Sequence, residues 1–315
     1  MRICFSAMGS GFVNNGGSKT ILSCANVLTE LGHEVTVAAD NYHFDWFPLK
    51  AKRIKKLPKK TDVLIATAVS TVEPILRHKI KAKKFWYVRG WENWATPENK
   101  IIELTKSINV IVNAKWLRKK IAKGGARKPP TVYPGLDLDT FYPEETETDG
   151  ITIGGLYHPR KLKRFGMWHS IMKRVVAERK VKVNVFGTDP KPHLPFDFNY
   201  FRSPKPDLHR KMYNQCDIWL FSSENEGLHI PPMEAGLCNC ALVGPDIGGV
   251  QDYAINGETA LLGDKNRCVK NILKLIDDES LRKELSKNLR DHLLEHIGSR
   301  EDNMKQMVKI LSGLK

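Results

Sequence analysis

The sequence predicts an α/β protein of two doubly wound halves, and three observations lead there. The chain has 315 residues, about twice the length of a common single domain. Short apolar runs alternate with amphipathic stretches through the first half, and the alternation restarts at Ile151 after an acidic, turn-rich segment. With 41% hydrophobic and 27% charged residues, the composition is globular and supplies apolar side chains for two cores. No run approaches the roughly 18 apolar residues of a membrane span. The opening residues 1–6 read as a strand entering a glycine-rich turn, not as a cleavable leader.

In the first half, strands are expected at 2–8, 34–39, 62–68, 84–88, 109–113 and 131–133. Helices are expected between them at 18–31, 71–79, 97–106 and 114–123. Pro97 suits a helix's first turn, and Gly32 and Gly124-Gly125 suit helix exits. Strands spaced by helices of this length imply right-handed crossovers and a parallel sheet. Residues 143–150, which hold three glutamates and one aspartate, read as the interdomain linker. In the second half, strands are expected at 151–154, 182–186, 217–221, 241–244 and 260–262. Its helices are expected at 165–178, 207–215, 232–237, 266–277 and 279–296, with a last helix at 300–314. The domains are thus drawn as 1–145 and 146–298, with 299–315 as a terminal helix. Doubly wound sheets bind ligands at the carboxyl ends of their strands, so two facing sheets would hold a ligand in the cleft between them.

Cys4, Cys24, Cys216, Cys238, Cys240 and Cys268 form no CxxC pair, and several sit in apolar patterns. They read as reduced, mostly buried thiols of a cytoplasmic protein, without zinc or disulfides. The net charge of +15 is unevenly spread. Between Trp46 and Thr61 lie Lys50, Lys52, Arg53, Lys55, Lys56, Lys59 and Lys60, with no acid. A second group is Arg77, Lys79, Lys81, Lys83 and Lys84; a third is Lys115, Arg118, Lys119, Lys120, Lys123, Arg127 and Lys128. One reading is a solvated face that keeps the protein soluble. The other is attraction to an anionic membrane leaflet (a peripheral site at its inner face), an acidic glycan or lipid acceptor, or nucleic acid.

The sharpest chemical signal is the run from Glu226 through Gly227, Leu228, His229, Ile230, Pro231, Pro232 and Met233 to Glu234. It follows an expected strand and leads into an expected helix. A helix N-terminus offers unpaired N–H groups and partial positive charge, which suits a diphosphate. Glu226 can accept hydrogen bonds from sugar hydroxyls, and Glu234 from a ribose diol. This segment resembles the E-x7-E motif of the retaining glycosyltransferases of family 4. The resemblance continues through Ala241-Leu-Val-Gly244 and Gly248-Gly-Val-Gln-Asp252, with Asp252 where that family usually has Glu. His229 departs from the family, which usually has glycine there. Its side chain either turns away from the donor or contacts phosphate or sugar.

The resemblance implies the GT-B fold, two Rossmann-like domains whose parallel sheets face across a cleft. It also implies a nucleotide-sugar donor in the second domain, lined by Gly227, Leu228, His229 and Ile230, and a terminal helix that crosses back to the first domain. The opening of the second half, Arg160-Lys-Leu-Lys163-Arg164, resembles the family's Arg and Lys-Gly cations, which hold the donor diphosphate as its charge grows. Arg160 with Lys163 is the preferred pair; Arg164, at the family's glycine position, is the rival. Gly16-Gly17, after the first strand, matches a glycine pair that faces the donor phosphates. Arg89, Trp91 and Glu92, just beyond the strand 84–88, are candidates for the acceptor side, with tryptophan as a sugar platform. Trp46 carries less information.

Retention, as the resemblance implies it, needs no dedicated base, because the departing phosphate oxygen can take the acceptor's proton. Asp137-Leu-Asp139 follows Tyr133-Pro-Gly135 and is no DxD metal motif, so neither an obligatory metal nor another cofactor is expected. The expected partners are a nucleotide sugar and a carbohydrate or lipid-linked acceptor. A nucleotide-sugar epimerase shares this architecture. A pyridine-nucleotide oxidoreductase lacks the glycine spacing here, although Asp40 is near its expected acid. A nucleic-acid-binding protein lacks a recognition helix or stacking sheet, while a transferase acting on DNA bases would account for both charge and motif.

Overall fold

The computed structural model describes residues 1–44, 47–146 and 149–313. The first apolar run forms β1 (Arg2–Ser6), buried on both faces from Ile3 onward. Such burial is the signature of a central parallel strand. β1 pairs in parallel with β2 (Glu34–Ala38) and with β4 (Val63–Ala66). β3 (Lys52–Ile54) edges one side, and β5 (Lys83–Val88) and β6 (Asn109–Val112) extend the other, giving the order β3-β2-β1-β4-β5-β6. The connecting helices are α1 (Gly16–Glu30), α2 (Val69–Arg77), α3 (Glu98–Ser107) and α4 (Lys115–Lys123).

The second sheet repeats this plan. Its strands are β7 (Thr152–Leu156), β8 (Lys182–Gly187), β9 (Asn199–Arg202), β10 (Ile218–Leu220), β11 (Ala241–Gly244) and β12 (Ala260–Leu262). All pair in parallel, in the order β12-β11-β10-β7-β8-β9. The helices are α5 (Phe165–Glu178), α6 (Pro206–Asn214), α7 (Ile230–Leu237), α8 (Lys265–Asp277) and α9 (Glu279–His296), followed by α10 (Arg300–Ser312). In each sheet the winding reverses between the first and fourth strands, β1 and β4 or β7 and β10. That reversal is where doubly wound sheets open a ligand crevice.

Three expectations are corrected. Residues 131–133 form no strand and make one isolated bridge, Val112 to Thr131. Pro129, Pro130 and Pro134 bracket them and cannot donate to a ladder. β3 and β9 were not expected, because edge strands as short and polar as Lys-Arg-Ile and Asn-Tyr-Phe-Arg show no two-residue apolar period. The acidic stretch 143–150 is no free linker where it is described. Glu144 pairs with Arg210 of α6 at 2.8 Å, and Asn214 accepts from the Glu144 N–H and donates to the Tyr142 carbonyl. The chain divides earlier, into one unit of Met1–Gly135 with Arg300–Lys315 and another of Leu136–Ser299. Gly135 takes φ 77° at that break, a backbone region that favours glycine.

In the first unit, α10 contributes the buried Met304, Met307 and Leu311 to the core shared by Ile21, Phe5 and Val37. Lys83 caps this helix by donating to the Leu311 and Ser312 carbonyls. Leu314, the last residue of the expected helix, lies outside the described residues, as do Asp45 and Trp46. The second unit has its own core around Ile153, Trp168, Val185, Ile218 and Leu285. All six cysteines are buried free thiols. Burial pushes Cys4 up to about 11 and Cys24 up to about 12, so neither is a thiolate nucleophile at neutral pH. Among the described residues no helix is long and apolar enough to cross a membrane.

Candidate functional site

In the second unit, adjacent strands β7 and β10 point their carboxyl ends into two loops that are stitched together. Ser222 Oγ donates to the Lys163 carbonyl at 3.0 Å, and the Glu224 N–H donates to the Leu162 carbonyl at 2.8 Å. This brings Lys163, in a one-turn 3-10 helix Lys161–Lys163, to Glu226, with 2.5 Å between Nζ and Oε1. His229 Nε2 lies 3.5 Å from the same carboxylate oxygen. Side-chain exposures of 26%, 15% and 3% for Lys163, Glu226 and His229 make this a largely desolvated cluster.

Charge follows from that burial. Desolvation pushes the Glu226 carboxyl up, but His229, the Lys163 ammonium and hydrogen bonds from Lys163 and Ser223 together hold it below its ordinary value. Burial pushes His229 down to about 4, with Lys163 adding to the effect and Glu226 opposing it. At neutral pH the cluster is therefore a carboxylate, an ammonium and a neutral imidazole whose Nδ1 is buried without a hydrogen-bond partner.

Gly248-Gly249 supports the cluster from behind. A Cβ on Gly249 would sit 2.6 Å from Glu226 Cβ, so only glycine permits this approach. The His229 N–H donates to the Gly249 carbonyl at 2.9 Å, and Tyr253 Oη donates to the His229 carbonyl at 2.7 Å. Sequence reasoning found this segment by resemblance alone; its physical role is to hold the 226–229 loop. A recess of about 10 Å³ lies beside the cluster, lined by Lys163, Ser222, Ser223, His229 and Pro231 among others. It has room for about one water.

The remaining candidates are dispersed. Glu234 is on the fifth residue of α7, 7% exposed, and accepts from Tyr213 Oη at 3.2 Å. Leu228 is buried at 6% and Ile230 is half-buried as the first residue of α7. Gly227 lies between Glu226 and Leu228 in the same loop. The expectation of a donor-rich helix N-terminus is corrected here. Pro231 and Pro232 occupy the second and third positions of α7 and have no N–H to offer. The cations must then do more of any anion binding at this end. Arg160 is exposed at the head of the 3-10 turn, its N–H donating to His158 Nδ1 at 3.1 Å. Arg164 is exposed too, with φ 47° and ψ 41°.

The first unit gathers a separate group at the carboxyl ends of β1, β4 and β5. Gly16 and Gly17 form the exposed first turn of α1, capped by Asn15, whose Oδ1 accepts from the Ser18 N–H at 2.7 Å. Arg89 donates to the Gly17 carbonyl at 2.5 Å and to the Thr67 carbonyl at 2.7 Å, tying three loops together. Glu92 accepts from the Val69 N–H at 3.1 Å, at the start of α2. Burial pushes its carboxyl up, opposed by that N–H and by Arg89. Trp91 is no sugar platform. It is 2% exposed, packed into the core with Lys120 Nζ 4.9 Å from its ring centre. Trp94, in the same loop, is 61% exposed.

Comparison with known proteins agrees with this architecture. Residues 199–292 match the family described as glycosyl transferases group 1. An uncharacterized glycosyltransferase of Methanocaldococcus jannaschii is 22% identical over 68% of this chain and 58% of its own length. The N-acetyl-alpha-D-glucosaminyl L-malate synthase of Bacillus anthracis is 23% identical over 44% of this chain and 40% of its own length. The matched part of this chain thus spans less than two thirds of either relative. Among solved structures, HepE of Anabaena, in complex with UDP-glucose, superposes with a TM-score of 0.82 at 13% identity, covering 100% of both chains. Sucrose-phosphate synthase of Thermosynechococcus elongatus gives 0.81 at 14% identity, over 99% of this chain and 98% of its own. The two six-stranded parallel sheets are those of the GT-B fold, and residues 199–292 carry a glycosyl transferases group 1 domain.

Proposed function

We propose that this chain is a retaining glycosyltransferase that moves a hexosyl group from a uridine diphosphate sugar to an acceptor without a metal ion. The observation that carries it is the Lys163–Glu226 pair at the reversal between β7 and β10, whose Glu226 lies within the residues 199–292 that match the group 1 family. The UDP-glucose bound to HepE supports uridine and glucose as the first donor to try.

On arrival of the donor, Lys163 and Arg160 take up the diphosphate, and Glu226 is released to orient the hydroxyls of the transferred sugar. Glu234, with Tyr213, receives the ribose diol. The bond from the sugar's anomeric carbon to the diphosphate breaks as the bond to the acceptor oxygen forms on the same face. The acceptor's proton passes to the departing phosphate oxygen. The protein's task is to stabilise that leaving charge, which fixed cations in a desolvated site do well. With two cations on the diphosphate, a divalent ion has no required place.

UDP release from UDP-glucose, with and without EDTA, tests this. Turnover should persist in EDTA. Glu234→Ala should cost roughly 1.5–3 kcal/mol, read mainly as a raised donor KM, while Glu226→Ala should lower kcat as well. Wild-type kinetics in both variants would remove the donor from this loop, and rescue of an EDTA-inactivated enzyme by magnesium or manganese would reject the cation assignment.

A further inference from the structure

The positive charge of this protein belongs to one unit. Met1–Gly135 with Arg300–Lys315 holds 28 Lys and Arg against 11 Asp and Glu, a net +17; Leu136–Ser299 holds 22 against 24, a net −2. The three basic clusters of the first unit differ in what they do. In the second cluster, Lys83 caps α10, Lys84 donates to the Leu76 and His78 carbonyls at the end of α2, and Arg77 pairs with Glu73. Lys83 and Lys84 thus serve the fold by satisfying helix C-termini. In the third, Lys120 pairs with Glu98 at 2.9 Å and covers Trp91.

In the first cluster Lys50 pairs with Glu30 and Arg53 lies over the rings of Tyr42 and Phe44, but its other five cations differ. Among the described residues, Lys52, Lys55, Lys56, Lys59 and Lys60 have no ion pair, and all five are exposed. No helix lies between β3 and β4; residues 55–62 run there as an open loop. Loop and strands leave a groove of about 500 Å³, lined by Arg2, Glu34, Lys52, Lys55, Lys56 and Lys60 together with Thr36, Ile54 and Pro58. Arg2 is held by Asp62 at 2.5 Å, so four uncommitted lysines face one carboxylate, Glu34. Arg2, Glu34 and Lys52 begin their strands, which puts this groove toward the amino end of the sheet, away from Gly16, Gly17 and Arg89.

We infer that this groove is an anion site that holds the phosphodiester backbone of duplex nucleic acid. Several lysines in a row with no acid between them match a ligand whose charges repeat along a chain. Among the described residues no aromatic side chain lines the groove, so the unstacked bases of a single strand would find no platform there. No Asn, Gln or Arg fork is free there to read base edges, which makes capture independent of sequence. A bilayer is the less fitting partner. The site is concave, and among the described residues the exposed large apolar side chains of this unit, Val13 and Trp94, lie outside the 50–61 loop and the strand starts. Phosphate capture of this kind needs neither a recognition helix nor a stacking sheet. That the held duplex is also the acceptor rests on the transfer reading above; the capture does not.

The test is fluorescence anisotropy of a labelled 20-base-pair duplex of arbitrary sequence, with full-length protein between 50 and 200 mM salt. Each lysine neutralising a phosphate adds about 0.9 to the slope of log K against log salt. The quadruple variant Lys52→Gln, Lys55→Gln, Lys56→Gln, Lys60→Gln should therefore lose about three to four units of slope, and a matching quadruple Lys→Arg variant should keep it. Thermal melts should match wild type in both, because these side chains make no internal pairs. An unchanged slope in the Gln variant overturns the site. So does loss of binding to phosphatidylglycerol vesicles with duplex binding intact, which would make the groove a lipid-headgroup site. UDP-glucose hydrolysis without acceptor should be equal in all variants. If wild type shows none, the transfer reading fails while the duplex measurement still stands.

Discussion

Arg164 sits at φ 47° and ψ 41°, in the left-handed region that a side chain enters at a cost of roughly 1–2 kcal/mol. Its position is the one where related motifs place glycine, and the backbone explains that preference. Arg164→Gly should raise stability by about 0.5–1 kcal/mol, because relief of strain exceeds the added freedom of the unfolded chain. A thermal shift reads this, and donor KM should not move if Arg160 and Lys163 hold the diphosphate. A several-fold rise in KM would transfer that role to Arg164. His229 makes a second prediction. Its pKa falls from 6.5 to about 4 on burial, so as pH drops the unfolded chain takes the proton first. Stability is then complete above pH 6.5 and is lost as pH falls through 6.5 toward 4, by up to about 3 kcal/mol. Glu226, held below the ordinary 4.5, adds its own loss only lower still. Chemical denaturation of His229→Asn between pH 6.5 and 4.5 should show a flatter dependence, and a wild-type slope would place the titrating group elsewhere. At this scale the sequence showed which residue types could meet a donor, because Glu226, Lys163 and their glycine context lie in short local motifs. It could not show that Trp91 is buried under Lys120, since a tryptophan beyond a strand reads the same whether packed or exposed.

Elements with a strong period were legible, and those without one were not. α9 and α5 carry long apolar stripes, and their bounds, Glu279–His296 and Phe165–Glu178, coincide with the periodic stretches. β3 and β9 owe their existence to a neighbouring strand's unpaired edge, a long-range cause that leaves no local pattern. α7 shows the converse, an element foreseen whose chemistry was not. Its two prolines favour the first turn sterically while removing the amides that make a helix end attractive to anions. α10 carries the element-scale prediction. Met304, Met307 and Leu311 are fully buried in the first unit, so Met307→Ala should cost about 2–5 kcal/mol and deletion of 300–315 more. Calorimetry should show the loss in the first unit's transition. A loss confined to the other transition would mean that α10 stabilises Leu136–Ser299 instead.

At the scale of the whole molecule, each unit closes its own six-stranded sheet around its own core, and each fills a separate electrostatic role. The doubled α/β plan was readable because a second strand-helix alternation begins at Ile151, and alternation is a property of every element rather than of any one. The break at Gly135 was less readable. The acidic residues that suggested a linker are recruited by Arg210 and Asn214 of α6, partners nearly seventy positions away. Two cores imply two melting transitions, separable by Met307→Ala, which should lower only one. The proposed donor contacts Lys163, Arg160, Glu226 and Glu234 are in Leu136–Ser299. UDP at about 100 times its Kd should therefore stabilise that unit by about 2.7 kcal/mol, raising its Tm by roughly 5–10 °C. The first unit, which holds none of these residues, should shift by much less. Equal shifts of both transitions would mean that the nucleotide does not single out the Lys163–Glu226 cluster. A shift of the first alone would place the nucleotide on the Gly16–Gly17 turn and leave the Lys163–Glu226 cluster without its proposed ligand.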